Sequence, residues 1–190
     1  LEKKLITLLK TRTFGAVLVE PIQGRGGIVI PPAEFLPMLR RACNRSGALL
    51  VADEIFTGFW RTGKMFAVEH YGVTPDMIAL AKGIASGLPL GALVARKSLM
   101  TWPPGAHAST FGGNPVAAEA SLATIKLLEE KLMKNAASLG AYLMAQLKEL
   151  QREIEPIGDV RGMGLMIGVE LVEDRHTKKR AGGLRNLVVN

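Results

Sequence analysis

A single cysteine in 190 residues rules out an internal disulfide and a metal site built from cysteines. Histidine is almost as scarce, and His70, His107 and His176 show no metal-ligand spacing. Aromatic residues make up only 5% of the chain and do not interleave with basic ones, so the base-stacking platform of a nucleic-acid binder is missing. The net charge of +7 does not replace it, because Lys and Arg are scattered and only Lys178-Lys179-Arg180 form a short run. No segment approaches the roughly 20 apolar residues of a membrane span. The opening LEKKLITLLKTRTF is an amphipathic helix pattern broken by charge, not a secretory leader. These absences set the expectation of a reducing, cytoplasmic location with neither nucleic acid nor membrane as a partner.

What remains is an ordinary globular composition, 48% hydrophobic and 22% charged, long enough for one good core but short for a two-domain enzyme. Four short apolar runs, Ala16–Glu20, Ala48–Ala52, Met77–Ala81 and Ala92–Ala95, read as buried strands. Between the first two, Pro32–Gly47 carries Phe35, Leu36, Leu39 and Ala42 on one helical face, with Gly47 as its stop. Strand, helix, strand predicts a crossover unit and an α/β fold with a mainly parallel sheet. Asn114-Pro115 reads as the N-cap and first turn of a long helical region reaching about Arg152, with Gly140 as a bend. Ile157–Gly162 reads as a turn-rich boundary, Leu165–Leu171 as a new strand, and Glu173–Arg180 as a polar, unfinished end. A closing strand with no later partner predicts a piece of a longer fold.

In parallel sheets chemistry gathers at the carboxyl ends of strands. Glu20, Asp53 and Lys82 all fall at or just past such ends. Lys82 sits between Ile78–Ala81 and Gly83–Ala85, and an amine among apolar neighbours loses the hydration of its charged form, which favours the nucleophilic amine. A snorkelling lysine at a strand end explains the same residues. Asp53 ends ALLVAD, where an acid needs a partner; capping the segment from Glu54 is one use for it, and a cationic ring nitrogen is another. Two-residue alternation points Glu54 the opposite way. Pyridoxal phosphate chemistry uses such a pair, the lysine holding the cofactor aldehyde as a Schiff base and the acid keeping the pyridine nitrogen protonated. Ser109–Pro115 offers hydroxyls, glycine backbone and a helix start, the ingredients of a phosphate site or of a plain capping loop. Gln23–Gly27 reads as a turn.

Together the segments VEPIQGRGG (19–27), LLVADEIFTGFWRTGKMFA (49–67), PDMIALAKGIASGLPLGA (75–92), STFGGNP (109–115) and GDVRGMGLMIGVEL (158–171) resemble the class-III aminotransferases, the ornithine and 4-aminobutyrate aminotransferase group. The resemblance implies fold type I, the aspartate-aminotransferase-like fold, with residues 1–155 as an incomplete large domain and 156–190 as the start of the small one. It implies pyridoxal 5'-phosphate as cofactor, Lys82 as the attachment and proton-shuttling residue, Asp53 on the pyridine nitrogen and Ile55 against the ring face. It assigns Thr110, beside Ser109, to the cofactor phosphate of the neighbouring subunit, hence a homodimer, and Glu20 to the ring-side hydrogen-bond network. Arg61, Thr62 and Gly63 match as architectural residues.

The implied reaction is ping-pong transfer of an amino group between an amino acid or ω-amine and a 2-oxo acid. A racemase or a decarboxylating relative uses the same scaffold, and a non-catalytic module is the reading from a different class. Two positions depart from the family pattern. Phe56 stands where relatives often carry a glutamine, and Arg25 where ornithine and 4-aminobutyrate enzymes commonly carry a glutamate. An arginine there is suited to a substrate carboxylate. The family's upstream phosphate-binding turn and downstream carboxylate-binding arginine have no match here, so the 190-residue piece alone is expected to be inactive.

Overall fold

Two sheets organise the chain in a computed structural model that describes residues 2–189. The first has the order β1 (Ala16–Val19), β2 (Leu49–Asp53), β3 (Met77–Leu80), β4 (Ala92–Ala95). β1, β2 and β3 are parallel, and β4 returns antiparallel against β3. The crossover between β1 and β2 is α2 (Phe35–Ser46), which ends at Gly47 with φ +74°, a left-handed conformation that glycine adopts without a Cβ penalty. Its apolar face delivers Leu36, Met38, Leu39 and Cys43 onto Leu50 and Ala52 of β2, with Val68 and Val73 closing the core. Cys43 is fully buried, and burial pushes its thiol pKa up despite nearby Arg40. The N-terminal α1 (Glu2–Lys10) packs through Leu9 on Ala42 and Ala48.

The four strands fall where the apolar runs predict. They are not all buried, however: in β1 Val17 and Val19 pack on the core while Leu18, on the opposite face, is more than half exposed, and so is Val94 of β4.

Asn114 caps α3 (Pro115–Leu127) as expected, its Oδ1 accepting from the Val116 and Ala117 N–H groups. The helical region is interrupted at Leu128–Leu132, where one π-helical turn leads into α4 (Met133–Glu153). Gly140, expected as the bend, lies inside α4 and is buried. It is a contact point instead, because a Cβ there would collide with the backbone of Gly164.

The second sheet corrects the reading of the C-terminal part. Ile157–Met163 is a strand, β5, not a boundary turn, and it pairs antiparallel with β6 (Met166–Asp174). Neither is β6 an unpaired end: β7 (Lys179–Arg180) follows, then α5 (Gly182–Val189). Gly158 and Gly162 hide β5 in the sequence, yet both sit against β6 atoms where a side chain does not fit. α4 packs on β5 and β6, Leu165 N–H donates to the Arg61 carbonyl, and Arg161 donates to the carbonyls of Gly27 and Ile28. The hairpin is thereby tied directly to the loops that follow β1 and β2. Among the described residues no helix is long and apolar enough to cross a membrane.

Candidate active site

Parallel pairing brings the carboxyl ends of β1, β2 and β3 to one edge. Val19 is opposite Ala52, and Asp53 is opposite Ala79. Glu20 and Asp53 therefore leave their strands side by side, and Lys82 follows two residues beyond the end of β3. Lys82 opens a 3-10 turn, Lys82–Ala85, with φ +47°, a left-handed conformation uncommon for a residue with a side chain. That turn buries Ile84 and Ala85 against Phe59, Trp60 and Leu80. It leaves Lys82 exposed, which corrects the expectation of an amine sheathed by its apolar sequence neighbours. Its Nζ lies 4.0 Å from the centre of the Phe56 ring, a cation–π contact.

Lys82 lines a cavity of about 310 Å³ with Ile55, Phe56, Gly83 and Arg61, bounded also by Leu165, Met166 and Ile167 of the β5–β6 hairpin. A larger cleft of about 760 Å³ runs between Pro89–Leu93 and Trp102, His107, Ser109 and Phe111. It does not contain Lys82, so the smaller cavity is the candidate catalytic one; Asp53 lines neither of the two.

Asp53 is half-buried, and one carboxylate oxygen accepts the Ile55 N–H at 3.0 Å, which fixes the start of the following turn. Its neighbour Glu54 points the other way, as alternation predicts, and is fully buried. The Glu54 carboxylate accepts from the Thr57 hydroxyl and from the N–H groups of Ala67 (3.0 Å) and Val68 (2.9 Å). Burial raises its pKa, against the lowering effect of these three donors. Glu20 accepts the Gly24 N–H at 2.8 Å and so shapes the turn whose ends pair at Gln23 and Val29. Ser109 and Thr110 lie on the exposed loop before α3, outside the Lys82 cavity.

Asp76 has a place that sequence reading missed. Buried before β3, it accepts from the Leu50 N–H (2.7 Å) and pairs with Arg40 (2.9 Å) and Arg96 (2.5 Å). Burial alone raises a carboxyl pKa; here the Leu50 N–H and the two guanidinium groups outweigh it and hold the pKa below the usual value. The acid thus fastens β2 and the residue after β4 to the start of β3, which sets the strand ends in register. An acidic residue following a proline carries no such signal in sequence.

The arrangement fits a pyridoxal group at its amine and ring ends. Lys82 offers an accessible amine in a cavity, Ile55 gives that cavity an apolar wall, and Asp53 has its second carboxylate oxygen without a hydrogen-bond partner among the described residues.

The family model for class-III aminotransferases matches residues 2–188. The chain is 51% identical over 168 residues to the leucine/methionine racemase of Thermococcus litoralis, covering 87% of this chain and 38% of that protein. It is 42% identical over 168 residues to the diaminobutyrate–2-oxoglutarate aminotransferase of Haemophilus influenzae, covering 88% and 37%. Among solved structures, a pyridoxal-phosphate-bound amine transaminase from an uncultivated Pseudomonas species superimposes with a TM-score of 0.85 at 41% identity, over 93% of this chain and 42% of that one. The chain therefore spans about two fifths of the length of the curated relatives it matches. With a match across nearly its whole length, this chain belongs to the class-III aminotransferases, enzymes of fold type I that use pyridoxal phosphate.

Proposed function

We propose that the complete protein transfers an amino group between an amino acid or amine and a 2-oxo acid, with Lys82 as the catalytic residue. The observation that carries this reading is the placement of Asp53 and Lys82 at adjacent ends of the parallel strands β2 and β3, with the Lys82 amine open to a cavity. Bound pyridoxal phosphate supplies an electron-accepting ring that labilises bonds at the substrate Cα. Lys82 Nζ is the group that attaches covalently and moves the proton at Cα. The Asp53 carboxylate keeps a ring nitrogen cationic through a charge-assisted hydrogen bond. Ile55 excludes water from one wall.

Ser109 and Thr110 serve as phosphate ligands from a loop that lies apart from the Lys82 cavity within one chain; this separation supports a homodimer in which each loop serves the neighbouring site. Glu20 acts through the turn it holds at Gly24. We assign residues 1–155 to the large domain and 156–190 to the start of the small one, supported by the start of a separate sheet at Ile157. A buried, unpaired Cys43 supports a reducing, cytoplasmic location.

The test is amino-acid formation by the complete, cofactor-loaded protein from a panel of donors and 2-oxo acids, compared with its Lys82→Ala variant. The 51% identity to a leucine/methionine racemase favours a second reading, racemisation by the same lysine. Product formation that depends on a 2-oxo acid establishes transfer. Loss of optical activity from an enantiopure amino acid, with no 2-oxo acid present, establishes racemisation.

A further inference from the structure

Between the end of β2 and the 3-10 turn Ala67–Tyr71, residues 54–66 run without a helix or a strand. Five of them, Ile55, Phe56, Gly58, Phe59 and Arg61, line the Lys82 cavity. The segment is strained. Phe59 and Trp60 stand at φ +54° and +59°, a left-handed conformation that a bulky residue keeps only where its surroundings impose it. Packing imposes part of it: both side chains are buried with Leu80, Ile84 and Ala85, and the Phe59 ring meets Phe66 edge-on at 6.5 Å.

Glu54 imposes the rest. Its fully buried side chain takes three donors on two oxygens: the Thr57 hydroxyl and the N–H groups of Ala67 (3.0 Å) and Val68 (2.9 Å). Thr57, itself fully buried, lies inside the segment, and Ala67 and Val68 lie just past its far end, so one carboxylate draws the loop closed. The Glu54 carbonyl accepts the Gly58 N–H at 2.8 Å and fixes the same turn from the backbone side. A carboxylate offers acceptors only, whereas an amide here turns its NH2 group toward one of these donors.

We propose that Glu54 and Thr57 are positioning residues for the reaction at Lys82, their buried pair setting Ile55, Phe56 and Phe59 at the cavity wall. Neither residue lines the cavity, so both act through the segment they close, and their role rests on the reading of that cavity as the catalytic one. Groups around a reacting centre have to be held to about 0.5 Å, and a displacement of about 1 Å costs up to roughly a hundredfold in rate.

Thr57→Val and Thr57→Ser in the complete protein test this, at a temperature where circular dichroism shows both variants folded. Valine keeps the shape of threonine without its hydroxyl donor, and serine keeps the donor. Amide hydrogen exchange of the cofactor-free protein reads the loop, and steady-state kinetics of the cofactor-loaded protein reads the reaction. Thr57→Val speeds exchange across residues 55–66 by about fivefold or more and leaves α2 unchanged. It also lowers kcat by about tenfold with a smaller change in KM, and Thr57→Ser restores kcat. Unchanged exchange in Thr57→Val, faster exchange with kcat unaltered, or a Thr57→Ser variant as slow as Thr57→Val overturns the proposal. Absence of Lys82-dependent turnover in the unsubstituted protein, in contrast, overturns the reading of the cavity itself.

Discussion

The Lys82 ammonium rests on the face of Phe56, 4.0 Å from the ring centre, while the same ring abuts Gly24 so closely that a Cβ there would lie 3.1 Å from it. One side chain thus links the candidate catalytic lysine to the turn that carries Arg25. A cation–π contact at an exposed site is worth about 0.5–1 kcal/mol and has to be given up when Lys82 reacts as a free amine. Phe56→Leu is therefore expected to tighten pyridoxal phosphate capture by roughly two- to fivefold, read from an absorbance titration. Equal or weaker capture shows that the ring does not restrain the lysine.

Glu54 is structural rather than catalytic. Glu54→Ala leaves the Ala67 and Val68 N–H groups buried without an acceptor, at roughly 1–3 kcal/mol each. Chemical denaturation should show a loss of that order. Because the folded pKa is raised by burial, the folded state holds the proton more tightly than the unfolded state. Its contribution to stability is therefore largest below the ordinary glutamate value and declines as pH rises through the folded pKa. Glu54→Gln flattens that decline, which unfolding curves measured between acid and neutral pH detect.

Asp76 acts with the opposite sign. Its folded pKa is depressed, so the stability it provides is present above its ordinary value and is lost as pH falls through the folded one. Removing one partner of a buried pair is costly, about 3–5 kcal/mol at full burial, and Arg96 is largely exposed, so Asp76→Asn belongs at or below the lower end. The variant should also lose the acid-side fall in stability. A variant with unchanged midpoint and pH profile contradicts the fastening role.

Gly140 and Gly164 meet backbone to backbone where α4 crosses the β5–β6 turn, and Gly164 has φ +54°. Gly140→Ala forces the two apart and should cost about 1–3 kcal/mol, visible as a lower thermal midpoint. The displaced turn carries Leu165 at the wall of the Lys82 cavity, so cofactor capture should weaken with it.

Much of the first sheet was legible because its strands are continuous apolar runs and α2 repeats Leu36, Leu39 and Cys43 on one face. Asp53 and Lys82 stood out as charges at the ends of such runs. The second sheet was not legible: β5 reads IGDVRGM, whose glycines are there to let backbone and side chains of β6 approach, and they erase the alternation that marks a strand. The Leu128–Leu132 π turn carries no glycine or proline to announce it, whereas Gly140, which suggested a bend, is a packing contact. Asp76 and Glu54 gain their partners from residues far along the chain, which spacing alone does not reveal.

The central claim, that Lys82 is the point of covalent attachment, is tested most directly by adding pyridoxal phosphate to the chain and to Lys82→Ala, recording absorbance before and after borohydride, and mapping the modified peptide. The account predicts a visible band in the unsubstituted chain that borohydride converts to a stable link on Lys82, and no such band in the variant. A band that persists in Lys82→Ala, or a link mapped to another lysine, contradicts it.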